Sequence, residues 1–134
     1  MNARQMGDEF ERLACALLTK HGLQIVQTNY HVAKIGEIDV VACQNTPQHQ
    51  AVLVFVEVKA RRTSRFATAA QSVTKAKQRR IVRAAEHFLQ THGQFADWAC
   101  RFDVVAFDIN QEQPDVQWIQ GAFLVDECMT FNQS

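Results

Sequence analysis

Apolar residues near the N-terminus recur with helical spacing. Phe10, Leu13, Ala14, Leu17 and Leu18 fall at i, i+3, i+4, i+7 and i+8, which predicts a helix over Gly7 to Lys20 that closes at His21-Gly22. From Leu23 the period shortens. Leu23 to Tyr30 and Gly36 to Cys43 read as strands, and the polar turn 44–50, with Asn45 and Pro47, predicts a hairpin into a third strand over 51–59. That strand holds an unbroken apolar run, Val52 to Val56, which suits burial on both faces. After a polar, basic loop at 61–70, a second helix is expected over Val73 to Gln90. Lys77, Ile81, Ala84, Ala85 and Phe88 share one face of it and His87 falls on the solvent side. Cys100 to Asp108 and Val116 to Gln120 read as further strands, joined by a turn around Pro114. The order α-β-β-β-α-β-β predicts a mixed sheet flanked by helices, and 134 residues suit one domain with its own core.

A charged pair interrupts this pattern at a costly place. Glu57 and Lys59 follow the apolar run at once, and alternation puts them on one side of the strand with Val56 and Val58 on the other. Charges at the end of a core strand are expensive unless paired, hydrated or bound to a metal. On the preceding strand Glu37 and Asp39 share one face, while Ile38 and Val40 share the other. On the first helix, Glu11 lies only about 20° round from Leu18, at the edge of the buried stripe. Glu9 is expected to face solvent. Asp39, Glu57 and Glu11 near Lys59 could hold Mg²⁺ or Mn²⁺ through hard oxygen ligands and act on a phosphodiester. An Asp or Glu two residues before a Lys is by itself most often a surface ion pair.

Charge distribution adds to this picture where net charge, formally zero, does not. Between Lys59 and Arg83 lie 9 of the 14 lysines and arginines, with no Asp or Glu among them. Such a region suits a phosphate backbone, although a solvated basic helix face would look the same. The histidines show no ligand spacing, and there is no Gly-rich phosphate loop or nucleophile elbow. Cys15, Cys43, Cys100 and Cys128 are scattered, as expected of buried reduced thiols. The N-terminus lacks the apolar core of a signal peptide, and no stretch is long enough to cross a membrane, so a cytoplasmic protein is expected.

These residues resemble a known family. Gly7 with Glu11-xx-Ala14, Gly22, Asn29 and Gly36-Glu-Ile-Asp39 come first. Phe55-Val-Glu-Val-Lys59-x-Arg61, Phe66, Val73-xxx-Lys77-xx-Arg80-Ile81 and Arg101-Phe102-Asp-Val-Val-Ala106 follow. They fall in the order seen in the YraN family of uncharacterised proteins and cover about residues 7–107. That family resembles Holliday-junction resolvases and the wider restriction-endonuclease-like nucleases with a PD-(D/E)xK motif. The resemblance implies an α/β fold of restriction-endonuclease type, with a central mixed sheet flanked by helices. Asp39 takes the place of the motif's aspartate, Glu57 and Lys59 form its ExK half, and Glu11 matches a helix-one glutamate that assists the metal site. Phe10, Ala67 and Gln71 depart from the family pattern.

The expected function is Mg²⁺- or Mn²⁺-dependent hydrolysis of DNA, with branched and single-stranded forms as candidate substrates. Asp39 and Glu57 would bind metal, with Glu11 and the Val58 carbonyl assisting. Lys59 would be the catalytic lysine, and Arg61, Arg62, Lys75, Lys77 and Arg80 would hold phosphates. Two alternatives stay open: a non-catalytic nucleic-acid-binding or adaptor module of the same fold, and a protein-binding domain in which Glu57 and Lys59 are structural. Relatives that cut junctions act as dimers, so a homodimer is a reasonable expectation.

Overall fold

Asn2 starts the first helix ahead of the expected Gly7. Its side-chain oxygen accepts from the Gln5 N–H at 2.9 Å, and the Gln5 side chain accepts from the Asn2 N–H at 3.0 Å. This capping box satisfies donors that a helix start otherwise leaves unpaired. Helix α1 therefore runs over Ala3–Lys20, and Gly22, at φ +89°, turns the chain out of it as expected. The computed structural model describes residues 2–61, 73–109 and 115–125. The basic loop at 61–70, the turn at Pro114, Phe66, Ala67, Gln71 and Cys128 lie wholly or largely outside them. Among the described residues no helix is long and apolar enough to cross a membrane.

Five strands form one sheet: β1 Gln24–Val32, β2 Gly36–Thr46, β3 His49–Arg61, β4 Ala99–Asp108 and β5 Asp115–Phe123, in spatial order β1-β2-β3-β4-β5. β1 to β3 are antiparallel neighbours, as are β4 and β5. β3 and β4 run parallel, with Val52 opposite Ala99 and Lys59 opposite Ala106. Two parallel neighbours need a crossover, and helix α2, Lys75–Thr91, lies between them in sequence. The mixed α/β sheet with two helices agrees with the predicted order, and the strands extend a few residues beyond the expected limits.

The helices cover opposite faces. Ala14 and Leu18 of α1 pack with Val40, Val54, Val56, Val105 and Phe107. Ile81, Ala84, Ala85 and Phe88 of α2 pack with Val41, Leu53, Phe55, Phe102 and Val104. Alternation along β3 thus feeds both cores, and every residue from Leu53 to Glu57 is buried. Leu13 departs from the expected stripe and is 37% exposed, because the buried face of α1 centres on Ala14 and Leu18.

Two contacts hold the ends of the sheet. A side chain at Gly36, where β2 begins, would place its Cβ 2.6 Å from the Arg80 carbonyl oxygen. The β1–β2 hairpin is therefore seated on the backbone of α2. At the other side, the fully buried Asp103 carboxylate accepts from Arg101 Nε at 2.9 Å, the Trp118 indole N–H at 2.9 Å and the Gly121 N–H at 3.0 Å. These bonds tie β4 to β5 and give the Arg101-Phe-Asp motif a structural role.

Candidate functional site

The β2–β3 ladder begins at the pair Val40–Val56 and runs toward the hairpin turn. One step to the other side, Asp39 and Glu57 would be the next pair. There the Asp39 carboxylate, Oδ2, accepts the Val58 N–H at 2.7 Å. A side chain thus does what a main-chain carbonyl does elsewhere in the ladder. Strict alternation also breaks here: Ile38 packs on the α2 side and Val40 on the α1 side, where the sequence pattern put them on one face. Asp39 is left facing α1.

Glu57 is only 7% exposed and hydrogen-bonds Asp39. Burial first, then the hydrogen bond and the charge of Asp39, push its carboxyl up to about 8. Two cations act the other way. Lys77 Nζ of α2 is 3.6 Å from Glu57 Oε2, and Lys59 follows on the same strand. Lys77, expected to hold phosphate, is brought by the helix beside this carboxylate.

Glu11 completes an acidic cleft. It projects from α1 and accepts the Asn29 side-chain N–H at 2.9 Å. Burial raises its carboxyl, with added repulsion from Asp39, Asp8 and Glu37, against which the Asn29 bond works. Asn29 adopts φ +52°, a left-handed turn of the backbone within β1 that asparagine tolerates better than most residues. The cleft holds about 240 Å³ and is lined by Asp8, Phe10, Glu11, Glu37, Asp39 and Val58, among others. Phe10 stacks obliquely on Phe107 at 4.9 Å and lines one side of the cleft. Glu9 faces solvent and pairs with Arg12.

The structure thus brings Asp39, Glu57, Glu11, Val58 and Lys59 to one end of the sheet, with Lys77 added. Arg80 lies beside Lys77 in a smaller cleft shared with Glu37. Lys75 opens α2, while the Arg61 side chain and Arg62 lie outside the described residues. Sequence reasoning gave no role to Asn29 and placed His87 toward solvent. His87 Nδ1 instead meets the Tyr30 hydroxyl. An asparagine on the strand facing Glu11 was the available signal for the first; nothing in helical periodicity signalled the second.

Whether this donor set suits a cation can be judged from its chemistry. Among the described residues no three His, Cys, Asp or Glu side chains stand together as a ready cage. Mg²⁺ seldom takes such a cage and is more often held by one or two carboxylates, waters and substrate phosphates. The Asp39–Glu57 pair, two hard oxygen donors in mutual contact, fits that mode. Burial raises the thiols of Cys15, Cys43 and Cys100, the last to about 11, so none of them is a ready nucleophile.

The fold and cleft define an α/β protein with paired carboxylates at the open end of a mixed sheet. The chain belongs to the uncharacterised protein family UPF0102, the YraN family, which it matches over residues 10–107. A UPF0102 protein of Saccharophagus degradans is 43% identical, over 92% of this chain and 96% of its own length. One from Nitrosococcus oceani is 40% identical over 92% and 94%, and one from Psychrobacter arcticus 37% over 90% and 81%.

Proposed function

We propose that the protein is a Mg²⁺- or Mn²⁺-dependent nuclease of restriction-endonuclease-like fold that hydrolyses phosphodiester bonds in DNA. The observation that carries this reading is the contact between the Asp39 and Glu57 carboxyls, beside Lys59 and Lys77, at the end of two buried strands. Like charges in mutual contact at low dielectric call for a proton or a cation between them. A bound divalent cation would supply Lewis acidity toward the phosphate and lower the pKa of a water. Asp39 and Glu57 would hold it, with the Val58 carbonyl as a further oxygen and Glu11 reaching it through water. Lys59 would offset the charge that gathers on the phosphate oxygens as water adds to phosphorus and the P–O bond to the leaving group breaks. Arg80, with Arg61, Arg62 and Lys75, would hold flanking phosphates.

The test is calorimetry with Mn²⁺ on the wild type and on Asp39→Ala and Glu57→Ala, followed by cleavage assays on linear, single-stranded and branched DNA. Binding lost in both variants, together with cleavage lost in Asp39→Asn, is the expected result. Cleavage that persists in Asp39→Asn would sink the proposal.

A second reading has its own support. Asp39 already serves the Val58 amide and Glu57 already pairs with Lys77, so the carboxylates also make sense in a DNA-binding or adaptor module without turnover. That module would bind DNA equally well with and without Mn²⁺.

A further inference from the structure

Away from the carboxylates, a second cleft of about 320 Å³ lies between the β1–β2 hairpin and the C-terminal half of α2, lined by Ile35, Arg83, Glu86, His87 and Gln90. We infer that this cleft is a phosphate subsite for one strand of DNA, running along α2 from Lys77 past Arg80 to Arg83 and His87. The inference rests on the nucleic-acid reading above and extends it to residues that reading does not use.

Helix geometry carries the argument. At about 100° per residue, Arg80, Arg83 and His87 fall within about 60° of one another, and Lys77 lies about 60° beyond Arg80. The stripe begins at Glu57, which Lys77 approaches at 3.6 Å, and passes the small cleft of Glu37, Lys77 and Arg80. It is about 15 Å long at about 1.5 Å per residue, enough for about four phosphates at the axial spacing of one DNA strand. Glu37 also lines the acidic cleft, so the stripe starts where the two faces of the sheet meet.

His87 is set for this task. Its Nδ1 is engaged by the hydroxyl of the buried Tyr30, and His92 and Phe88 flank the same tyrosine. With the hydroxyl donating to Nδ1, the neutral ring carries its proton on Nε2. In the charged ring Nε2 is a donor as well. Either form can give a hydrogen bond to a phosphate oxygen, beside the guanidinium of Arg83. Glu86 bounds the subsite; it lies about 60° from Arg83 and about 100° from His87 round the helix. A phosphate would therefore sit on the Arg83–His87 side.

Fluorescence anisotropy with short labelled single- and double-stranded oligonucleotides, in EDTA and across about 50 to 200 mM salt, tests the track. Arg83→Gln should weaken binding about threefold to tenfold, equally for unrelated sequences, and lower the log–log salt slope by about 1. His87→Gln should weaken it less. Lys20→Gln, an exposed charge in the last turn of α1, should have no effect. If Arg83→Gln matches Lys20→Gln, or if the wild type fails to bind at the lowest salt, the track is wrong. Wild type that binds with the expected slope but never cuts in Mn²⁺ would keep the track and remove the hydrolase.

Discussion

Asp39 and Val58 are joined at 2.7 Å, carboxylate to main-chain N–H, one step past the last regular pair of β2 and β3. The same side chain is thus part of the sheet and part of the candidate centre. These roles separate by substitution. Asp39→Ala leaves a partly buried N–H without its acceptor and should lower stability by about 1–3 kcal/mol in urea unfolding. Asp39→Asn keeps a carbonyl oxygen for Val58 and should cost clearly less. Loss of Mn²⁺ binding in Asp39→Asn with stability retained would assign the carboxylate charge to the cation and not to the fold.

Glu57 makes stability depend on pH in an unusual direction for an acid. Its carboxyl stands at about 8 in the fold against an ordinary 4.5. Between those values the folded state binds more protons than the unfolded one, so stability is fully present below about pH 4.5 and is lost as pH rises toward 8. Melting scans without divalent metal should show this decline. Glu57→Gln, neutral throughout, should flatten it, and a decline of the same size in that variant would place its origin elsewhere.

Gly36 has no space for a side chain. Its Cβ would stand 2.6 Å from the Arg80 carbonyl oxygen, and backbone cannot yield as a flexible side chain does. Gly36→Ala should cost about 1–3 kcal/mol by forcing the hairpin off α2. A denaturation midpoint equal to that of the wild type would contradict this seating.

Asn29 positions Glu11. Asn29→Gly keeps the left-handed backbone and removes the amide that donates to the glutamate. Glu11, already raised by burial, should rise further, and Mn²⁺ affinity should fall about 10-fold, the usual order for loss of a supporting hydrogen bond. Asn29→Ala should add a stability loss from the strained φ. Equal Mn²⁺ affinity in wild type and Asn29→Gly would leave Asn29 with a backbone role alone.

Much of the fold was legible because period carries through to packing. The apolar run of β3 is buried on both faces from Leu53 to Val56, and Glu57 and Lys59 at its exit were conspicuous for breaking it. The convergence of Asp39 with Glu57 could be anticipated from a hairpin of predictable direction. Lys77 against Glu57 could not, because the approach of a crossover helix to a sheet depends on tertiary packing. The bond between Tyr30 and His87 joins β1 to α2 across the same kind of distance. The start of α1 at Ala3 was missed for a local reason: Asn2 and Gln5 form the cap, and apolar spacing says nothing about caps.

Gly36 seats the hairpin on the backbone of α2, and α2 carries both Lys77 and His87. An α-helix does not stretch, so the separation between the lysine at the carboxylates and the histidine at the far cleft is constant. The helix is in effect a ruler laid on one face of the sheet, graduated in turns of about 5.4 Å. Anything lying along it is measured by length rather than by sequence.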